Sequence, residues 1–432
     1  MVEQVRTSRV SGFYKLSVKK RLEFVADFAN LTEEEKKLLL IDSKPGTGLD
    51  LKTADMMIEN VIGTFDLPLG VAVNFLINER DYLIPMVIEE SSVVAAASNA
   101  AKVARVNGGF KARASESIMI GQIQVVGIQG ESRLADAMLA VRKQKDEILN
   151  MANEQDKVLV GLGGGAKDLE TRIIKTSSGE MLIVHLLVDV KDAMGANAVN
   201  TMCEAVAPLV EEITGGKVRL RIISNLADKR LAYATAVFDK NALGGSEVVD
   251  GILEAYAFAD ADPYRAATHN KGIMNGVDAV VIAVGNDWRA VEAGAHAYAA
   301  RYGRYKPLTR YWKNRRGDLV GEIEIPLAIG TVGGAASVNP LTKLCRKILG
   351  VKNANELACV IASVGLAQNL AALRALAVEG IQRGHMSLHA KNIAVMAGAK
   401  GDEIDIIARK MVEEKKVRLD RAKEILEEIR RK

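Results

Sequence analysis

Apolar and polar positions alternate along residues 118–128, through Ile118, Ile120, Gln122, Gln124, Val126 and Ile128, and this predicts a β-strand. The period then changes. Over residues 131–153 the apolar side carries Leu134, Ala137, Met138, Val141, Ile148 and Leu149, which is helical spacing. Strand-like 169–174, the apolar run 181–190, a second helix over 195–214 and a strand over 218–223 complete a β-α-β-β-α-β order. That is the ferredoxin-like split arrangement rather than a Rossmann unit, and it predicts a small domain inserted into a larger one. The flanks, 1–113 and 227–380, read as helix-rich and are studded with Ala and Gly, which favours close helix packing around a buried segment near residue 370. Residues 360–378 are long and apolar, but Gln368, Asn369 and Arg374 interrupt them, and an arginine in mid-bilayer is costly. A buried core helix is therefore expected there. Beyond Gly384 the pattern becomes charged and amphipathic, with Ala422, Ile425, Leu426 and Ile429 on one face of a last helix. The expected fold class is α+β: a helix-rich large domain (1–113 and 227–380) around a central helix, a small domain (114–226) and a C-terminal helical flap (381–432).

Composition narrows the function classes. Of 432 residues 49% are hydrophobic, enough for a sizeable core, and 58 Lys+Arg against 54 Asp+Glu leave a net charge of only +4. Neither nucleic acid nor an acidic membrane is indicated by so small an excess. Cys203, Cys345 and Cys359 are widely spaced and form no CxxC pair, which fits a reducing cytoplasm. The first twenty residues are polar and basic, without the apolar core of a signal peptide. None of the five histidines belongs to an HExxH metal motif, so no metal is expected.

Four segments concentrate candidate chemistry. Residues 262–276 (DPYRAATHNKGIMNG) surround Lys271 with His269, Asn270 and Asn275, and residues 285–292 (GNDWRAVE) follow. A lysine so placed can steady a developing oxyanion, and Asp287 is suited to cap the helix after it. In residues 85–98 (PMVIEESSVVAAAS) two carboxylates, Glu89 and Glu90, lie between an apolar strand and a helix that Ser91 or Ser92 can cap. Partial burial would let such a carboxylate carry a proton near neutral pH. In residues 192–197 (DAMGAN) a strand enters a helix through Gly195, where free amides suit a pyrophosphate, although the spacing is not GxGxxG. His385, beside Gly384 in GHMSLH, suits a proton donor on a hinge.

Taken together and in this order, the four segments resemble the signature regions of the class II, soluble 3-hydroxy-3-methylglutaryl-coenzyme A (HMG-CoA) reductases, a likeness that runs from residues 59–65 (ENVIGTF) to the last helix. The resemblance implies interconversion of HMG-CoA with mevalonate plus coenzyme A by two hydride transfers from NADH, with NADPH possible. It places the catalytic set on Glu90, Lys271, Asp287 and His385. Substrate contacts fall on Ser92, Asn225, Arg265 and Asn275, and cofactor contacts on Asp156, Asp192, Met194, Gly195 and Asn197. A carboxylate at Asp156 would accept from a free ribose 2′-hydroxyl and repel a 2′-phosphate. Where some members carry an arginine near the N-terminus, this chain has Tyr14 followed by Lys15. The family further implies a homodimer, or a higher even oligomer, with active sites shared between subunits. The mevalonate pathway is the expected setting, and degradative mevalonate oxidation is the alternative use of the same catalyst. A silent coenzyme A or nucleotide sensor on the same fold is the rival from another class. It has no use for all four catalytic groups.

Overall fold

Two sheets organise the chain, and each gathers its own apolar core. The computed structural model describes residues 7–39, 49–334, 338–378 and 381–431, with the backbone alone over 381–388. A six-stranded sheet runs β2 (Arg80–Val87), β1 (Leu69–Ile77), β3 (Phe110–Ala114), β8 (Leu231–Phe238), β10 (Leu319–Pro326), β9 (Thr309–Lys313). A four-stranded sheet runs β5 (Gly165–Thr176), β6 (Gly179–Asp189), β4 (Ile118–Val126), β7 (Lys217–Ile223), and every neighbouring pair in it is antiparallel. With its helices between β4 and β5 and between β6 and β7, this second unit has the ferredoxin-like order expected from periodicity.

The six-stranded sheet is the main feature that periodicity missed, because the flanks read simply as helix-rich. Its middle strands are alanine-rich: Ala112 pairs with Ala234 and Ala114 with Ala232, across more than a hundred residues of sequence. Alanine has low strand propensity, so these strands carry little local signal. Their short side chains allow the helix Ala354–Val378 to lie against β3, β8 and β10. That helix is the expected central one, and its apolar window is 83% buried although its length and composition would let it cross a membrane. The helix Pro263–Ala283 crosses it at very short range. A Cβ on Gly276 would come within 2.9 Å of Gln368 Cβ, so glycine fixes how closely the two helices approach.

Two other expectations change in detail. The helix predicted over 131–153 is broken at Gln144 into Glu131–Lys143 and Lys145–Asn153. After the break Ile148 and Ala152 are fully buried, while Lys145 pairs with Asp168 on β5 at 2.6 Å. At the C-terminal end the helices Ile381–Met396, Asp402–Glu413 and Leu419–Arg430 share a separate core that includes Ile407, Met411, Ile425 and Leu426. Gly384, expected at a hinge, falls inside the first of these helices. The side chain of His385 lies outside the described residues.

Candidate active site

The helix Pro263–Ala283 starts where Asp262 caps it, accepting from Tyr264 N at 3.2 Å, with Pro263 in the first turn. The dense polar cluster read from sequence divides between its two faces. On the inner face Asn270 is fully buried and bridges a loop, donating to Lys306 O at 2.9 Å and accepting from Leu308 N at 3.0 Å. His269, 1% exposed, meets Thr309 Oγ1 at 2.6 Å through Nε2. The Thr309 hydroxyl and the Tyr311 hydroxyl both donate to Asn369 Oδ1, at 3.0 and 2.9 Å. Thr309 must therefore accept from His269, which places the imidazole proton on Nε2. Burial, aided by the nearby Arg265 charge, pulls the His269 pKa down to about 3, so the ring is neutral. These groups hold the helix in place. Lys271 and Asn275, one turn apart, occupy its open face.

Glu90 completes that face. It lies just past the end of β2, and its Oε2 accepts from Lys271 Nζ at 2.8 Å and from Asn275 Nδ2 at 3.3 Å. The lysine side chain remains 61% exposed and the carboxylate 39%. Ser92 stands at the N-cap position of the helix Val93–Ala104, but contrary to the expected capping role its side chain makes no cap bond. Its backbone is left-handed, with φ 75°, and its hydroxyl is buried with no partner among the described residues. A buried hydroxyl lacking a hydrogen bond is costly, and a ligand atom would remove that cost. Arg265 is partly buried, makes no hydrogen bond or ion pair among the described residues, and has its pKa lowered by that burial. Tyr14 is 76% exposed, with Lys15 Nζ 5.8 Å from its ring centroid.

Asp287 lies at the far end of the lysine helix. Its carboxylate caps the helix Trp288–Ala299, accepting from Arg289 N at 3.0 Å and Ala290 N at 3.2 Å, as its position suggested. Twelve helical residues separate Lys271 from Ala283, a rise of about 18 Å. Among the described residues, no hydrogen bond or ion pair joins Asp287 to Lys271 or Glu90. Asn286, the residue before Asp287, is bonded to Gly330, which packs against the 192–197 turn. In that turn Gly195 adopts φ 101°, and a Cβ there would meet Val190 Cγ1 at 2.5 Å. No side chain caps the helix Ala196–Thr214, so its first amides are free for an anion. Asn197 is exposed and Met194 half-buried beside them. These features fit a dinucleotide phosphate. Asp192 is partly committed elsewhere, since its Oδ1 accepts from Ala354 N at 2.8 Å and caps the central helix. Asn225 is exposed, and its carbonyl packs against Gly294 of the helix that Asp287 caps. Asp156 caps the short helix Lys157–Gly161 through Leu159 N at 2.8 Å.

Several polar groups here escaped the sequence reading. Arg230, 5% exposed, donates to the carbonyls of Ala193 (3.0 Å), Met194 (3.2 Å) and Ile329 (2.6 Å) and so fixes the turn from behind. Nothing local in the sequence marks it. Asp278, one turn beyond Asn275, is bonded to Glu292, which holds His296 at 2.5 Å; His296 Nδ1 meets the Tyr305 hydroxyl at 2.7 Å. The i,i+4 spacing of Glu292 and His296 was the available clue. Burial first, and then the Glu292 carboxylate, push the Asp278 pKa up to about 9. The His296 hydrogen bond lowers that of Glu292, and the same bond raises that of His296. A folded-state pKa raised above the unfolded value gives stability that is complete below about pH 4 and is lost as pH rises through about 9. Asp278→Asn, which keeps a donor for Glu292, should therefore raise stability at about pH 8 by on the order of 1 kcal/mol or more, seen as a higher melting temperature, and change little at about pH 4. Thermal melts across that range check this; an equal gain at both ends would rule out the titration.

Residues 17–390 match the family described as Hydroxymethylglutaryl-coenzyme A reductase. The chain is 64% identical over 429 residues to a 3-hydroxy-3-methylglutaryl-coenzyme A reductase of Archaeoglobus fulgidus, covering 99% of this chain and 96% of that one. A probable reductase of the same name from Borreliella burgdorferi is 38% identical, over 78% of this chain and 77% of its own. Among solved structures, the reductase from Streptococcus pneumoniae superimposes with a TM-score of 0.82 at 41% identity, covering 97% of this chain and all of that chain. The class II enzyme from the same organism, bound to NADPH in open conformations, gives a TM-score of 0.80 at 42% identity, over 96% of this chain and 100% of its own.

Proposed function

The chain belongs to the hydroxymethylglutaryl-coenzyme A reductase family and is an NAD(P)H-dependent oxidoreductase, and from that premise we propose how its residues divide the work. The observation that carries the reading is the open face of the lysine helix, where Glu90 binds both Lys271 and Asn275. The reaction joins HMG-CoA, two reduced cofactors and two protons to give mevalonate, coenzyme A and two oxidised cofactors. The bound nicotinamide supplies the hydride in each step. Lys271 holds the oxygen that becomes negative when the thioester carbonyl, and later the aldehyde, is reduced; a fixed cation is most effective at that position. Glu90 orients the ammonium and passes protons at that oxygen, and Asp287 approaches from the cofactor side. His385 protonates the departing thiolate, a task matched to an imidazolium. Ser92 and Arg265, whose hydroxyl and guanidinium have no partner among the described residues, bind the substrate's polar groups, joined by Asn275 and Asn225.

Residues 114–226 form the cofactor domain in this reading, with the dinucleotide against Asp192, Met194, Gly195 and Asn197. Residues 1–113 and 227–380 form the substrate domain, and 381–432 the flap. The absence, among the described residues, of a hydrogen bond or ion pair from Asp287 to Lys271 or Glu90 supports a site completed by a second copy of the chain in a homodimer or higher even oligomer. One copy then gives Glu90, Lys271 and Asn275, and its partner gives Asp287 and the cofactor turn. The enzyme interconverts HMG-CoA and mevalonate in the cytoplasm, with degradative mevalonate oxidation as the alternative use of the same catalyst. NADH is the favoured cofactor: Asp156 spends one carboxylate oxygen on its cap and keeps the other for the ribose hydroxyls.

Loss of nicotinamide absorbance with HMG-CoA, and its gain with mevalonate plus coenzyme A, test the reading. No change in either direction would restore the sensor. Run with both cofactors, the assay should give a kcat/KM for NADH at least about tenfold above that for NADPH, given a repelled phosphate. Asp156→Ala should narrow the gap. A preference for NADPH in the unmodified protein would show that Asp156 does not face the ribose.

A further inference from the structure

Asn286 sits directly before Asp287 and takes no part in the chemistry assigned above. Its side chain pairs with both backbone polar groups of one residue: Nδ2 donates to Gly330 O at 3.0 Å, and Oδ1 accepts from Gly330 N at 2.7 Å. Gly330 in turn is pressed against the cofactor turn. A Cβ there would come within 2.5 Å of Met194 N, 2.8 Å of Ala193 C and 2.9 Å of Asp192 O. The next residues continue the contact, since Thr331 N donates to Asp192 O at 2.8 Å and Ala193 bridges Val332 in a parallel pairing. Arg346 ties the same segment to the end of the lysine helix, donating to Thr331 O at 2.7 Å, Gly330 O at 3.1 Å and Val284 O at 3.1 Å. The Asp287 corner, the segment 329–332 and the turn 192–195 are thus joined by hydrogen bonds and direct packing, with no flexible side chain at the Gly330 contact to absorb a displacement.

We propose that Asn286 is a positioning residue that locks the cofactor turn to the Asp287 corner, so that the dinucleotide and the Asp287 carboxylate keep one fixed relation. The amide's two-point grip on the Gly330 backbone sets how far that segment presses on Ala193 and Met194. The Glu90, Lys271 and Asn275 face lies outside this connection. Loss of Asn286 should consequently affect cofactor affinity and turnover together, and leave HMG-CoA binding alone.

This inference rests on the assignment of the 192–197 turn to the dinucleotide, and the experiment separates the two. Asn286→Ala is measured for binary NADH and NADPH binding by nicotinamide fluorescence without HMG-CoA, then for kcat and for the KM of HMG-CoA. Cofactor binding should weaken about tenfold, or ~1.4 kcal/mol, and kcat should fall by about as much, while the HMG-CoA KM stays within about twofold. Asn286→Asp, which keeps the acceptor and loses the donor, should lie between. Gly330→Ala, which pushes on the turn from the other side and leaves both Asp287 cap bonds in place, should reproduce the loss of cofactor affinity even if Asn286→Ala fails to fold. Asn197→Asp places a carboxylate beside the free amides and should weaken binding strongly. Normal binding in Asn197→Asp would overturn the turn assignment itself. Weak binding there with unchanged binding in Asn286→Ala and Gly330→Ala would overturn the locking role alone.

Discussion

Lys271→Ala is expected to lower turnover at least ~100-fold with HMG-CoA and with added mevaldehyde alike, because loss of one preorganised oxyanion donor typically removes that much. Both half-reactions build negative charge on an oxygen, and Lys271 is the cation on the face that Glu90 and Asn275 define. The fold should be nearly indifferent. Lys271 is 61% exposed, so its pair with Glu90 is screened by solvent and contributes little to stability. The helix is held from its other face, through His269 and Asn270, and neither contact involves the lysine. HMG-CoA should still bind, since Ser92, Arg265 and Asn275 remain. The measurement is kcat for each substrate, with melting temperature and HMG-CoA affinity alongside. Turnover within tenfold of the unmodified enzyme would show that the oxyanion is held elsewhere.

The second large effect concerns assembly. If one copy supplies Glu90 and Lys271 and its partner supplies Asp287, then Lys271→Ala chains mixed with Asp287→Asn chains should regain activity that neither has alone. Asn serves as well as Asp at an N-cap, so the second substitution removes the charge and keeps the helix start. In a random dimer mixture half the molecules are mixed, and each has one intact site out of two, so about a quarter of full activity should return. Glu90→Gln mixed with Lys271→Ala provides the contrast. Those two residues share one half-site, every mixed dimer would carry a defect in each site, and activity should stay low. Recovery in this second mixture but not in the first would reverse the proposed division between subunits.

Much of this was legible in the chain itself. The small domain is built from local signals: alternation at Ile118–Val126, helical spacing in 131–153, and an apolar run entering a helix at Gly195. Ferredoxin-like topology follows from their order. The central helix was legible too, because Gln368, Asn369 and Arg374 interrupt an otherwise apolar stretch. Asp287 was recognisable as a cap from one residue and its successors. The six-stranded sheet was not, because its alanine strands pair across distances that no sequence window spans.

At the site, residue types and motif order singled out Glu90, Lys271 and Asp287 as candidates and indicated the chemistry they can perform, since carboxylates, an amine and a glycine turn carry their reactivity with them. Tertiary structure alone decided which of them meet. It turned His269 and Asn270 inward and Lys271 and Asn275 outward from one polar cluster, left the Ser92 hydroxyl unpartnered instead of capping its helix, and gave one oxygen of Asp192 to the central helix. It also carried the lysine helix about 18 Å beyond Lys271 before the Asp287 corner and brought Arg230, Asn286 and Gly330 around the 192–197 turn. A sequence encodes what a side chain can donate, accept or protonate. Which partner it finds depends on helices and strands distant in the chain packing against one another, and the contacts that set this, such as glycine against backbone and guanidinium against carbonyl, have no periodicity to be read.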